Sequence, residues 1–221
     1  MIFDSPNATM SPEPQNADAL VCVVDDDGAV RRCFERLFRS VRLPVETFAS
    51  AEEYLERKTH SGPVCLVLDV NMPGFDGFDL QRALAGHAEQ IVFLTGHGDV
   101  PMCVKAMKAG AVDFLTKPVD DEILLSAVSR ALDRARKILA NLAQRSVARS
   151  LVDSLTPRES QVMHCVIAGM LNKQTAAGLG IAEKTVKIHR GRMMKKTGSV
   201  SVPDLMRLVQ KAGESPHTSE R

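Results

Sequence analysis

Four widely separated places in the 221-residue chain carry side chains able to act on one substrate: the acidic run Asp25-Asp26-Asp27, then Asp69, Thr95 and Lys117. Carboxylates crowded together repel one another, and a divalent cation relieves that repulsion. With oxygen donors alone, the expected cation is Mg²⁺ rather than zinc, and it keeps several of its waters. An ammonium and a hydroxyl facing a metal-bound carboxylate suit a phosphoryl group. Its transfer needs positioning and neutralisation of its equatorial oxygens. In such an arrangement Asp69 is the nucleophile and becomes an aspartyl phosphate.

These groups can act together only if the fold collects them. Short apolar runs at 20–24, 45–48, 64–68, 91–94 and 112–115 read as strands, and amphipathic stretches near 28–40, 50–57, 76–85, 99–109 and 120–140 read as helices. Strands alternating with helices predict an α/β unit, a parallel sheet covered on both faces. VCLVL is apolar at successive positions, as a strand covered on both sides requires. VETF is the least apolar of the strands and is placed toward an edge. Each chemistry-bearing residue then follows the carboxyl end of a strand, where ligands bind in open parallel sheets. A single acidic pair after a strand is usually a helix cap. That explanation does not extend to Asp69, Thr95 and Lys117, each at a further strand end.

The segments VVDDDGAVR, LVLDVNMPGFDGFDL and IVFLTGHGDVPMCVKAMKAGAVDFLTKP resemble the receiver domain of bacterial two-component response regulators, and TGHGDVPM with AMKAGAVDF resembles its FixJ-type subgroup. The resemblance implies a flavodoxin-like five-stranded sheet in the order 2-1-3-4-5, a property taken over from that fold as a whole. It implies that Asp69 is the phosphoacceptor. Asp25, Asp26, Asp69 and the backbone carbonyl of Asn71 would be the Mg²⁺ ligands. Thr95 and Lys117 would contact the phosphoryl group, Phe114 would be the aromatic switch residue, and Lys117–Pro118 would be cis. Asp27 receives no metal role. A sensor histidine kinase is the implied phosphodonor. A phosphatase with an aspartate nucleophile would want a second acid two positions after Asp69, where this chain has Asn71.

The net charge of +1 hides an asymmetry. Residues 1–140 hold 15 Lys and Arg against 21 Asp and Glu, while residues 141–221 hold 13 against 6. A basic second part of charge +7, beside a first part of −6, suits a polyanion as partner. From Leu155 the pattern is all-helical, at about 157–168, 172–179, 183–196 and 202–211. It opens with Thr156-Pro157-Arg158-Glu159, a capping box with proline at the first helical position. Leu179-Gly180-Ile181 is the tight turn of a helix-turn-helix. Val186 and Met193, seven apart, share the inward face of helix 183–196, so its cations point outward. LTPRESQVMHCVIAGMLNKQTAAGLGIAEKTVKIHRGRMMKK with VPDLMRLVQKAG resembles the LuxR-type, or NarL-type, DNA-binding domain. Lys184, Thr185 and Arg190 are then expected at phosphates, and Lys187 and Ile188 lie where that family reaches base edges. Lys173, before the preceding helix, adds a phosphate contact. His189 is either a phosphate donor or a packed core histidine. Lys195 and Lys196 read as solvated cations. Ala182 stands where a side-chain N-cap is common, and Gly191 where some relatives place a long polar reader.

Helix 99–109 carries Cys103, Ala106, Met107 and Gly110 on one stripe, expected to face the sheet, and Val100, Val104 and Lys108 on the other. Asp113 is expected to complement Lys108. FixJ-type receivers dimerise through the face of their fourth helix and fifth strand, so Val100, Val104, Lys108 and Asp113 are the expected homodimer residues. The organisation expected is a disordered arm over 1–17, a receiver over 18–136, a helical linker over 137–152, the helix-turn-helix over 153–213 and a disordered tail over 214–221. The linker region is either a partner-pairing helix or a solvated helix end. The five cysteines have no metal-site spacing and read as reduced, buried thiols. No run approaches the roughly 18 to 20 apolar residues of a membrane span, and no secretory pattern opens the chain, so a cytoplasmic protein without a membrane partner is expected. The implied function is a phosphorylation-gated transcription factor, not an enzyme in the usual sense, with promoter DNA and RNA polymerase as partners. The alternative is a phosphorylation-gated protein whose helical domain binds another protein.

Overall fold

A computed structural model describes residues 18–96 and 98–213. The arm over 1–17 and the tail over 214–221 lie outside the described residues. The chain divides into two compact units between Leu139 and Ala140.

The first unit alternates strands β1 (Leu20–Val24), β2 (Val45–Phe48), β3 (Val64–Leu68), β4 (Gln90–Thr95) and β5 (Asp113–Thr116) with helices. These helices are α1 (Gly28–Ser40), α2 (Ala51–Glu56), α3 (Gly77–Ala83), α4 (Val100–Lys108) and the first part of α5 (Asp121–Asp153), whose residues from Ala140 onward belong to the second unit. All pairings are parallel, in the order β2-β1-β3-β4-β5. The expected α/β fold, with VETF at an edge, is therefore what forms. Every residue of β1, β3 and β4 is buried, because helices cover both faces. Phe48, Tyr54, Phe78, Leu80 and Ala106 pack on one face beneath α2, α3 and α4. Phe34, Phe38, Leu124, Val128 and Leu132 pack on the other beneath α1 and α5.

Two side-chain expectations for α4 are corrected. Its inward residues are Ala106, fully buried, and Met102, one helical turn earlier, whereas Met107 is 43% exposed. Met107 follows Ala106 by about 100° of helical turn, which carries it out of the sheet-facing stripe. Asp113 is met by Arg130 of α5 rather than by Lys108 of α4. The thiols also differ from expectation: Cys22 and Cys65 are buried, Cys103 and Cys165 are half-buried, and Cys33 on α1 is exposed.

The second unit contains α6 (Pro157–Ile167), α7 (Asn172–Leu179), α8 (Glu183–Thr197) and α9 (Val202–Ala212) around a core that includes Val162, Met163, Val186, Met193 and Leu205. The segment 137–152, expected as a linker, lies within α5, and Val152 near its end belongs to this core. Gly180 ends α7 at φ +65°, a left-handed conformation in which a side chain is strained, and so turns the chain into α8. Among the described residues, no helix is long and apolar enough to cross a membrane.

Candidate functional site

Strand register builds the acidic pocket. Val24 pairs with Leu68, so Asp25 and Asp69 leave adjacent strands side by side, and the Asp69 amide donates to the Val24 carbonyl at 2.9 Å. Thr95 pairs with Thr116, and Lys117 follows, its amide donating to the Thr95 carbonyl at 2.8 Å. The Lys117–Pro118 peptide is cis, as expected. The Lys117 ammonium donates to Asp25 Oδ2 at 2.6 Å and to Asp69 Oδ2 at 2.8 Å. Asp69 Oδ1 accepts from the Asn71 amide at 3.1 Å, so both carboxylate oxygens are oriented. The Asn71 side-chain amide donates to the hydroxyl of the buried Thr95 at 3.4 Å.

Asp25 and Asp69 are buried, while Asp26 is exposed at the mouth, and one oxygen of each lies within 4.8 Å of the others. Burial pushes the Asp25 carboxyl above its ordinary range, against the lowering effect of Lys117. Burial by itself would lower Lys117, yet its bonds to Asp25 and Asp69 hold it above the usual lysine value. A buried acid raised in this way gains from a further positive charge. Three carboxylates so close fit a hard cation that takes oxygen ligands at about 2.1 Å. Asp27, given no metal role above, caps α1 by accepting from the Ala29 amide. Phe114 is half-buried, with its ring centre 6.0 Å from that of Phe93. Sequence reasoning missed Arg31, whose guanidinium donates to the Asp25 main-chain carbonyl at 2.5 Å. A contact to a carbonyl six residues away leaves no residue-type signal.

In the second unit, Val186 and Met193 are fully buried and turn Lys184, Lys187 and Ile188 outward, Ile188 being 46% exposed. Lys187 stands 3.4 Å from Glu183, one turn away on the same exposed face. Three other candidates are more occupied than expected. Thr185 is half-buried. His189 is half-buried with an unbonded Nδ1 under the surface, nearer to the packed reading than to a phosphate donor. Arg190 is half-buried and donates to Asn172 Oδ1 at 3.3 Å. Lys173 lies inside the first turn of α7 rather than before it, and is exposed. Arg192, four residues after Ile188 and exposed, joins the outward face. Its spacing from Ile188 was the available signal. Ala182 gives α8 no side-chain cap, as its residue type implies. Such a cap is worth about 1 kcal/mol.

Lys196, expected in solvent, is a structural tie. It donates at 2.7 Å to the buried Glu159, whose carboxylate closes the capping box on the Thr156 amide at 2.9 Å. Lys196 first, and then the Thr156 amide, hold the Glu159 carboxyl down to about 2. A depressed acid stabilises the fold fully above its ordinary value near 4.5 and loses that contribution as pH falls toward 2. Lys196→Met should therefore be less stable at pH 7 and show a flatter fall in stability between those values. Thermal unfolding against pH, followed by helical circular dichroism, checks this.

Two family descriptions match the chain: "Response regulator receiver domain" over residues 21–129 and "Bacterial regulatory proteins, luxR family" over residues 153–209. Nodulation protein W of Bradyrhizobium diazoefficiens is 50% identical over 92% of this chain and 90% of its own length. The transcriptional regulatory protein FixJ of Azorhizobium caulinodans is 39% identical over 89% and 94%. Among solved structures, the response regulator StyR superposes with a TM-score of 0.78 at 44% identity, covering 88% of this chain and all of that one.

Proposed function

Because the chain belongs to the two-component response regulators that join a receiver domain to a LuxR-type DNA-binding domain, we propose that Asp69 is its phosphoacceptor and that phosphorylation governs its binding to promoter DNA. We place the receiver over 18–136 and the DNA reader over 153–213. The observation that most supports this reading is the Lys117 ammonium bonded at once to Asp25 and Asp69. A cation held there bridges a metal-side acid and a nucleophile.

A sensor histidine kinase supplies the phosphoryl group. An Asp69 carboxylate oxygen attacks phosphorus, the phosphorus–nitrogen bond of the donor phosphohistidine breaks, and the imidazole leaves and takes up a proton. Asp25, Asp26, Asp69 and the Asn71 main-chain carbonyl would hold Mg²⁺, which supplies positive charge to the phosphoryl oxygens. Lys117 neutralises a further oxygen, and the Thr95 hydroxyl donates to another. Movement of Thr95 opens space for the Phe114 ring, which rotates inward and reshapes α4. The chemistry is confined to the protein's own aspartate, which acts in the cytoplasm, and RNA polymerase is the downstream partner. With Mg²⁺ and a small phosphodonor, the full chain should bind operator duplex at least tenfold more tightly than without the donor, and chelating Mg²⁺ should remove the gain. Anisotropy of a labelled duplex tests this, and equal binding in all three conditions would refute the gating.

The phosphorylated receiver dimerises through α4 and β5. Val100 and Val104 are 76% and 44% exposed on one stripe of α4, and a two-fold dimer would set two α8 helices on half-sites about one DNA turn apart. Only a few kcal/mol between receiver states is needed to turn mostly monomer into mostly dimer. Val104→Asp should keep phosphoryl uptake at Asp69 yet lose dimerisation and cooperative operator binding. Sedimentation of the phosphorylated variant is the measurement. A normal dimer there would move the interface to α5.

A further inference from the structure

Gln81 lies on the inner side of α3 and is 6% exposed, among Phe78, Leu80 and Leu84. Packing alone would favour an apolar residue there, since a buried amide is unfavourable without a partner. Its Nε2 donates at 3.0 Å to the main-chain carbonyl of Ala106, in the last turn of α4. That carbonyl already accepts from the Ala111 amide at 3.1 Å. Gln81 therefore does not rescue an orphaned acceptor; it joins two helices. Beside it, the Lys105 ammonium stands 4.0 Å from the centre of the Phe78 ring. Both ties fall in the C-terminal half of α4.

The other end of α4 is held differently. Asp99 caps it by accepting from the Met102 amide at 2.8 Å, and Val100 beside the cap is exposed. The chain reaches this end through Gly98, where a Cβ would stand 2.8 Å from Cε1 of Phe114 and 3.3 Å from Cγ2 of Thr95. A side chain at position 98 would have to displace that ring, so the main chain here lies directly against it. Displacement of Thr95 or Phe114 thus bears first on the entry to α4, while its exit is fastened to α3.

We propose that Gln81 is a positioning residue that pins the C-terminal end of α4 to α3, so that phosphorylation swings the helix about that end and moves Val100 and Val104. The proposal rests on the phosphorylation reading above, with Lys105 on Phe78 as a second, weaker tie. A pinned helix turns a small push at Gly98 into a change of slope across the exposed stripe. An unpinned one absorbs the push by sliding.

The test uses the full chain with Mg²⁺ and beryllofluoride, a stable phosphoryl mimic, followed by amide hydrogen exchange, sedimentation and fluorine NMR. In the wild type, beryllofluoride should alter exchange at 98–104 and leave 106–111 unchanged. Gln81→Met keeps the side-chain length and removes the donor. It should speed exchange at 106–111 about tenfold and reduce the beryllofluoride-induced gain in dimerisation about tenfold, the scale of one hydrogen bond. The fluorine signal should still report the mimic bound at Asp69. A merely structural Gln81 would lower the melting temperature and leave the dimerisation gain intact, which would overturn the proposal. So would a uniform change of exchange along α4 in the wild type. Should Gln81→Met fail to fold, Lys105→Ala at an exposed site carries the test. A smaller loss of the same gain is expected, and an undiminished gain refutes the pin. A wild type that binds no beryllofluoride overturns the phosphorylation reading and the pin with it, and the fluorine signal distinguishes that failure before any variant is compared.

Discussion

Asp69→Ala should take up no phosphoryl group under conditions where the wild type takes up one. The expected label on the wild type is stable in acid and labile in alkali, as an acyl phosphate requires. The expectation follows from position as much as from residue type. Asp69 Oδ2 sits 2.8 Å from the Lys117 ammonium and Oδ1 is held by the Asn71 amide, so the carboxylate is already oriented. Asp25 is bound to the same lysine at 2.6 Å but is the more deeply buried of the two, 3% against 8% exposed, which leaves Asp69 the more open to a phosphodonor. Asp26→Ala should slow labelling rather than abolish it, and added Mg²⁺ should restore part of the rate. If Asp69→Ala labels at the wild-type rate, the phosphoacceptor lies elsewhere. The variant should also lose the phosphodonor-dependent gain in operator affinity.

Lys184→Ala should weaken binding to every duplex alike and reduce the slope of log K against log[salt] by about 0.9, the release of counterions from one phosphate. Lys184 is exposed at the start of α8, so its truncation should leave the fold intact. Lys187→Ala should, in addition, change which operator variant is preferred, because a base contact carries sequence information and a phosphate contact does not. Arg190→Ala should cost more than a phosphate contact alone, since its guanidinium also holds Asn172 at the start of α7. An unchanged preference for Lys187→Ala across a panel of operators would remove it as a base reader. Unchanged affinity in all three variants would favour a protein partner over DNA for this unit.

Much of this was legible in the chain itself. Apolar runs of strand length, separated by amphipathic stretches, determined the α/β unit, because a strand covered on both sides has no polar face to alternate with. Thr156-Pro157-Arg158-Glu159 announced its helix, since capping is chemistry between residues three apart. Asp25, Asp69, Thr95 and Lys117 are recognisable by type, and the rule that ligands sit at strand carboxyl ends is enough to bring them together. The bonds from Lys117 to both Asp25 and Asp69 agree with that convergence.

What the tertiary structure decided was the phase and partner of individual side chains. Met107 and Met102 look alike in sequence, and only the seat of Ala106 on the sheet determines that Met102 turns inward. Asp113 is expected from the sequence to complement Lys108, and the path of α5 gives it Arg130 instead. Lys196 reads as one more solvated lysine until the start of α6 brings Glu159 within 2.7 Å. Gln81 carries no signal in the sequence, and its bond to a main-chain carbonyl 25 residues away exists only once α3 and α4 lie side by side. Local sequence encodes periodicity and caps because those interactions span a few residues. Contacts between remote elements depend on rotations of whole helices, which the summed packing of the core sets and no single residue type announces.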